Sequence, residues 1–345
     1  MASHPPGTEV LSTQLCPWLK EPYARLETAH REGRLGHGWL LTGPAGLGKI
    51  NLALAIANRL LTPQAATPGR LAAGAASTAM TLRHEPSDHH PDLHWVFPEP
   101  EKRTITVAQV RDTTDALTLT SLGGQAKIVI LEPADALTLA AANALLRTLE
   151  EPTPDTYFFL VSHRAGRLPA TIRSRCQTLS LPQPRLEHSM DWLSEQSGDA
   201  SRADWAQLLT LAGGSPFRAL TLYENEYHNK NNAFEEKFQL ISDNKLDPQA
   251  LADEWLKEGI ELPLTWLTIQ LQRVIRARMA PEVSNPITDL GVDRLHNAWQ
   301  ALTLQSLFRR LEAAETLLSQ LGRGTNADLA LRVLLLDFQA GRGRT

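Results

Sequence analysis

The run Gly43-Pro44-Ala45-Gly46-Leu47-Gly48-Lys49-Ile50 carries the residue types that hold a phosphate. Glycines let backbone N–H groups approach phosphate oxygens, a helix N-terminus favours the anion, and a lysine at position 49 reaches the β- and γ-phosphates. The residue after that lysine should bear a hydroxyl for Mg²⁺, and Ile50 has none. A second group with chemical potential is Glu132 and Asp135, directly after the apolar run Ile128–Leu131. Open α/β sheets place their ligands at that end of a strand. A third is His84, Asp88, His89, His90, Asp92 and His94. Their spacing matches no structural zinc pattern, so we read a solvated histidine-rich loop and no metal site.

The elements that must position these residues are legible around them. Trp39-Leu40-Leu41 reads as a short buried strand running into the glycine-rich loop, and Leu52, Ala53, Ile56, Ala57 and Leu60 recur at helical spacing behind it. Strand, turn and helix form the setting a phosphate loop requires. Ile128–Leu131 is long enough for a buried strand and too short for a helix. Thr138 then caps a helix with Ala142, Leu145, Leu146 and Leu149 on one face, ended by Pro152. Tyr157–Val161 is a further buried strand, and two strands flanking a helix imply a parallel sheet. Trp95–Phe97 reads as another strand, and Thr106 with Gln109 as a capping box opening a helix to Leu117.

Pro182-Gln183-Pro184 reads as a linker, after which only helical patterns remain. Leu208, Leu211 and Ala212 share a face, Gly213-Gly214 break it, and Ser215-Pro216 opens the next helix. A polar stretch near residues 223–230 marks a second boundary. Beyond it, three stripes stand out: Leu264, Leu267, Leu271 and Val274; Leu304, Leu307, Phe308, Leu311, Leu318 and Leu321; and Leu331, Leu334, Leu335 and Phe338. Such stripes are more often core than binding surface. We therefore expect three domains, at 1–182, 183–228 and 229–345.

The 345 residues carry a formal net charge of −4, which argues against a large nucleic-acid footprint on this chain alone. Two cysteines far apart in sequence make a disulfide framework implausible and a reducing compartment natural. The first residues lack the basic and apolar regions of a signal peptide, and no apolar run approaches a membrane span. We expect a soluble, cytoplasmic protein.

Three separated motifs resemble the AAA+ clamp-loader family: Ala140-Ala141-Ala142-Asn143-Ala144-Leu145-Leu146, Thr148-Leu149-Glu150-Glu151-Pro152 and Ser174-Arg175-Cys176. Weaker similarity runs from about Pro17 to the C-terminus. The resemblance implies an α/β AAA+ P-loop domain, a small helical lid and a C-terminal helical collar through which subunits form a ring. It implies that Arg175 is an arginine finger acting on a neighbour's nucleotide, and that Gly214–Leu220 is a sensor-2 motif with Arg218 near a γ-phosphate. It also implies that positions 132 and 133 should read Asp-Glu, to hold Mg²⁺ and to position water. Glu132 and Pro133 stand there instead. With Ile50, that removes both a metal ligand and a base, and loss of a general base alone costs about 10²–10⁴-fold.

Gly43, Gly46, Gly48, Lys49, Glu132 and Arg218 would then be a vestigial nucleotide site. No cofactor would be required, with ATP or ADP bound weakly or not at all. Relatives often carry a four-cysteine zinc module near residues 62–80, and no cysteine stands there, so no zinc is expected. The implied function is that of a non-hydrolysing clamp-loader subunit of the DNA polymerase III holoenzyme. Its implied partners are the tau/gamma ATPase and delta subunits of a hetero-pentameric ring, with the sliding clamp and primed DNA reached through the complex. The competing reading is an autonomous P-loop ATPase with relaxed motifs, favoured by Lys49 and Glu132.

Overall fold

The computed structural model describes residues 15–61, 90–99, 102, 104–119, 121, 126–196, 202–224, 227–279, 299, 302–321 and 327–340. Most of the histidine-rich loop and the residues at 62–80 lie outside these. The chain divides into two compact units. One comprises Met1–Gln196 with Ser215–Arg218, the other Ser197–Gly214 with Ala219–Thr345.

The first unit is built on a parallel sheet of five strands: β1 (Gly38–Thr42), β2 (Leu93–Val96), β3 (Lys127–Leu131), β4 (Thr156–Ser162) and β5 (Gln177–Ser180). They lie in the order β2-β3-β4-β1-β5. Both faces of β1 and β3 are buried, as a parallel sheet covered by helices requires, and this is why their sequences are continuous apolar runs without alternation. The helices of this unit are α1 (Lys20–Arg31), α2 (Lys49–Leu61), α3 (Val107–Ala116), α4 (Leu139–Glu150), α5 (Ala170–Arg173) and α6 (Leu186–Gln196).

Local sequence explains the helix starts. Thr106 accepts from the Gln109 backbone N–H, while the Gln109 side chain accepts from the Thr106 N–H at 3.0 Å, the expected capping box. Thr138 accepts from the Ala141 N–H and opens α4. Ala141, Ala142, Leu145 and Leu149 of α4 are buried against Val129, Phe158 and Leu160, while Leu146 is only half-buried. β2 begins two residues before the expected Trp95 and stops at Val96, because its partner β3 ends in register there at Leu131.

The second unit is helical. It holds α7 (Arg202–Leu211), the body of α8 (Pro216–Glu224), α9 (Tyr227–Ser242), α10 (Pro248–Glu258), α11 (Glu261–Met279), α12 (Leu304–Gln320) and α13 (Ala327–Ala340). Its core is aromatic: the Phe238 ring lies 5.2 Å from Trp266 and from Phe338, and 6.1 Å from Trp299. Leu264, Leu267, Leu271 and Val274 are buried as expected, and so are Leu331, Leu334, Leu335 and Phe338.

The stripe on α12 is a correction. Its buried residues are Leu307, Arg310, Ala314 and Leu317, whereas Leu304 and Phe308 are exposed. Arg310 shifts the face. Its guanidinium lies 5.1 Å from the Phe338 ring centroid and pairs with Asp337, so a charged residue occupies the apolar side. Burial lowers the Arg310 pKa, opposed by Asp337.

Candidate functional site

The glycine-rich loop follows the carboxyl end of β1 and opens α2. Gly43, Gly46 and Gly48 all have positive φ, at 139°, 79° and 82°, a conformation that a side chain would strain. Lys49 is fully buried, and its Nζ donates to the Pro44 carbonyl of its own loop at 2.6 Å. Ile50, in the place of the metal-binding hydroxyl, is fully buried too. Glu132, at the end of β3, is a buried carboxylate beside Pro133.

Apolar groups press on the loop from outside. A Cβ at Gly48 would sit 2.7 Å from the Phe217 ring and 3.1 Å from Leu19. A Cβ at Gly46 would meet the Arg218 backbone nitrogen at 2.9 Å, and the Phe217 N–H donates to the Gly46 carbonyl at 3.2 Å. The Trp18 indole donates to the Leu47 carbonyl at 2.9 Å. Phe217 lies 4.7 Å from Trp192, which lies 5.4 Å from Trp18. Residues Ser215, Phe217 and Arg218 lie against the phosphate loop, and the Arg218 atoms described there are its backbone nitrogen and Cβ. The sequence places none of Trp18, Leu19 and Trp192 at this site, and Phe217 only as a member of the Gly214–Leu220 segment. Their only signal is apolar bulk, which any core residue shares.

At the end of β4, Ser162 donates to Asp135 at 2.9 Å, and the His163 backbone N–H donates to the same carboxylate oxygen at 3.0 Å. Asp135 thus anchors the chain leaving β4 through Ser162 and His163. His90, Asp92 and His94 are described. No group of three metal-ligating side chains occurs among the described residues.

Arg175 occupies the opposite edge of the sheet. α5 ends at Arg173, and the turn Ser174-Arg175-Cys176 leads into the outer strand β5. β5 runs parallel to β1, with Trp39 beside Gln177 and Thr42 beside Ser180. The phosphate loop therefore leaves the carboxyl edge of the strand pair, while Arg175 approaches its amino edge. Six residues of register separate them, about 20 Å at 3.3 Å per residue. An arginine side chain does not span that distance, so Arg175 cannot serve the loop of its own chain.

The turn is held tightly. A Cβ on Gly38 would come within 3.1 Å of the Arg175 carbonyl oxygen, and the Arg175 N–H donates to the Ile172 carbonyl. Cys176 is half-buried, and burial pushes its thiol up to about 11. It is a packing residue without nucleophilic character at neutral pH. The Arg175 side chain is one-third exposed, and its guanidinium pairs with Glu150, the last residue of α4.

A five-stranded parallel sheet in this order, with a phosphate loop after β1 and helices packed around it, defines an AAA+ P-loop fold. The family described as DNA polymerase III, delta subunit, matches residues 18–185. The DNA polymerase III subunit delta' of Pseudomonas aeruginosa is 31% identical over 322 residues, covering 93% of this chain and 94% of its own. That of Escherichia coli is 36% identical over 213 residues, 61% of each chain. Among solved structures, a DNA polymerase III gamma subunit-related protein from Thermotoga maritima covers 91% of this chain and 98% of its own, at 22% identity and a TM-score of 0.48. The chain belongs to the delta-prime family of DNA polymerase III subunits.

Proposed function

We propose that this chain is the non-hydrolysing subunit of a clamp loader, which lends Arg175 to the nucleotide of an adjacent ATPase subunit. The carrying observation is the placement of Arg175 and the phosphate loop at opposite ends of β1 and β5. A guanidinium there is useful only to a neighbouring molecule. Its planar fork and permanent charge suit a phosphoryl group in transfer, where such fingers are worth about 10³–10⁵-fold.

Its own loop supports the same reading. A buried isoleucine stands where Mg²⁺ needs an oxygen, Pro133 offers no base, and the buried Lys49 ammonium donates to the Pro44 carbonyl of its own loop. These residues do not fit a working Mg-nucleotide site. The lid at 183–228 and the ring-forming collar at 229–345 belong to the same proposal, as do the tau/gamma and delta partners, the clamp and primed DNA, and a cytoplasmic location. No helix among the described residues is long and apolar enough to cross a membrane.

Steady-state Mg-ATP hydrolysis by the isolated chain tests the loop. We expect no turnover above background. Clear turnover abolished by Lys49→Ala would establish an autonomous ATPase instead.

A further inference from the structure

Glu150 and Arg175 belong to two motifs 25 positions apart, and the fold brings them together. The Arg175 Nε donates to Glu150 Oε1 at 2.7 Å, and Nη2 donates to the same oxygen. Nη1 donates to the Thr171 carbonyl at 3.0 Å and to the Ser174 hydroxyl at 3.4 Å. A guanidinium has five N–H donors in a rigid fork. Here Glu150 takes the side formed by Nε and Nη2, and the backbone of α5 takes a donor of Nη1. The second N–H of Nη2, on the outer edge, is the donor left for a further oxygen.

The supports of this arrangement are themselves fixed. α4 is anchored through buried Leu145 and Leu149, and its last turn is tied by a hydrogen bond at 2.8 Å between the His37 ring and the Leu149 carbonyl. Thr171 lies on the short α5, whose Ile172 is fully buried. The Glu150 side chain is about half exposed, at 49%, and exposed ion pairs contribute little to folding stability. The pair therefore does more to fix a direction than to hold the fold. An arginine with several freely rotating bonds loses rotamer freedom when it binds a phosphate, and a carboxylate that already restrains it removes part of that cost.

We infer that Glu150 is a positioning residue for Arg175, gripping one side of the guanidinium so that the other edge faces the neighbouring subunit's nucleotide. This rests on the finger reading above, and its test separates the two. The assembled loader is prepared with its other ATPase sites inactivated, so that hydrolysis reports only the site facing this chain. Clamp- and DNA-stimulated hydrolysis is then measured for Arg175→Ala, Glu150→Ala, Glu150→Gln and the double alanine variant. We expect Arg175→Ala to lower kcat by about 10³-fold or more. Glu150→Ala should lower kcat by about tenfold with KM for ATP little changed, as expected when a catalytic group is displaced and binding is not. Glu150→Gln keeps an acceptor oxygen and should lose less.

The double variant should be no slower than Arg175→Ala alone, because Glu150 acts only through that side chain. If Arg175→Ala hydrolyses normally, the finger reading fails and takes this one with it. A slow Arg175→Ala beside a Glu150→Ala at the unmodified rate, or faster, keeps the finger and overturns the positioning role. An equal loss from Glu150→Ala in the Arg175→Ala background overturns it too, since Glu150 would then act through assembly.

Discussion

The two edges of one sheet have opposite characters. At the carboxyl edge of β1, where an AAA+ domain places its nucleotide, the lysine is buried, the metal-ligand position is isoleucine, and Phe217, Leu19 and Trp18 pack on the loop. At the amino edge of β5, Arg175 remains partly exposed and is held by an acid and a backbone carbonyl. Apolar packing rewards bulk and dryness, whereas an exposed, oriented charge adds little to stability. The contrast separates scaffold from chemistry. Gly46–Ile50 of the loop are buried with only the Pro44–Ala45 tip exposed, whereas the charged turn is partly open to solvent.

That contrast can be broken at several points. The largest effect on stability is expected from Phe217→Ala, since deleting a buried phenylalanine typically costs about 3–5 kcal/mol. Chemical denaturation monitored by tryptophan fluorescence would read it, because Trp18 and Trp192 line the same cluster. A cost below about 1 kcal/mol would mean that the ring does not pack on the loop. Lys49→Ala should come next. It removes the hydrogen bond of a buried lysine to the Pro44 carbonyl, for about 0.5–1.5 kcal/mol of stability, yet clamp loading by the assembled complex should stay near the unmodified rate. A loss of loading comparable to the same change in a true ATPase subunit would restore chemistry to that edge. The smallest effect concerns Cys176. With burial holding the thiol up to about 11, native protein at pH 8 should react only slowly with a disulfide reagent, and readily once unfolded. Fast labelling of the native turn would show that it is looser than the packing against Gly38 implies.

Much of this was legible in the sequence because local chemistry fixed it. The strands at 38–42, 127–131 and 156–162 announced themselves as short apolar runs, and the helices at 107–116 and 139–150 by their threonine caps. The phosphate loop and its missing hydroxyl were equally plain, since backbone conformation and metal ligation depend on particular residues. What periodicity missed were side chains that meet only through the fold. Nothing in the spacing of Trp18, Trp192 and Phe217 says that they converge on one loop. Glu150 and Arg175 fall in the same class, as their pairing depends on where α4 ends beside the turn before β5. On α12 the apolar stripe misled because a stripe shows hydrophobicity, while burial there follows Arg310 and its stacking on Phe338.

The central claim is that the amino edge acts on a neighbour while the carboxyl edge is inert. It is tested most directly by ATP hydrolysis of the assembled loader carrying Arg175→Ala, under stimulation by clamp and primed DNA. A finger in trans acts on the transition state, so the rate should fall more than nucleotide affinity, and partially, because only one site of the ring loses its arginine. Arg175→Lys should restore little, since an ammonium lacks the planar fork. Gel filtration must show an intact complex. Hydrolysis at the unmodified rate by such a complex would contradict the account and make Arg175 a surface residue paired with Glu150.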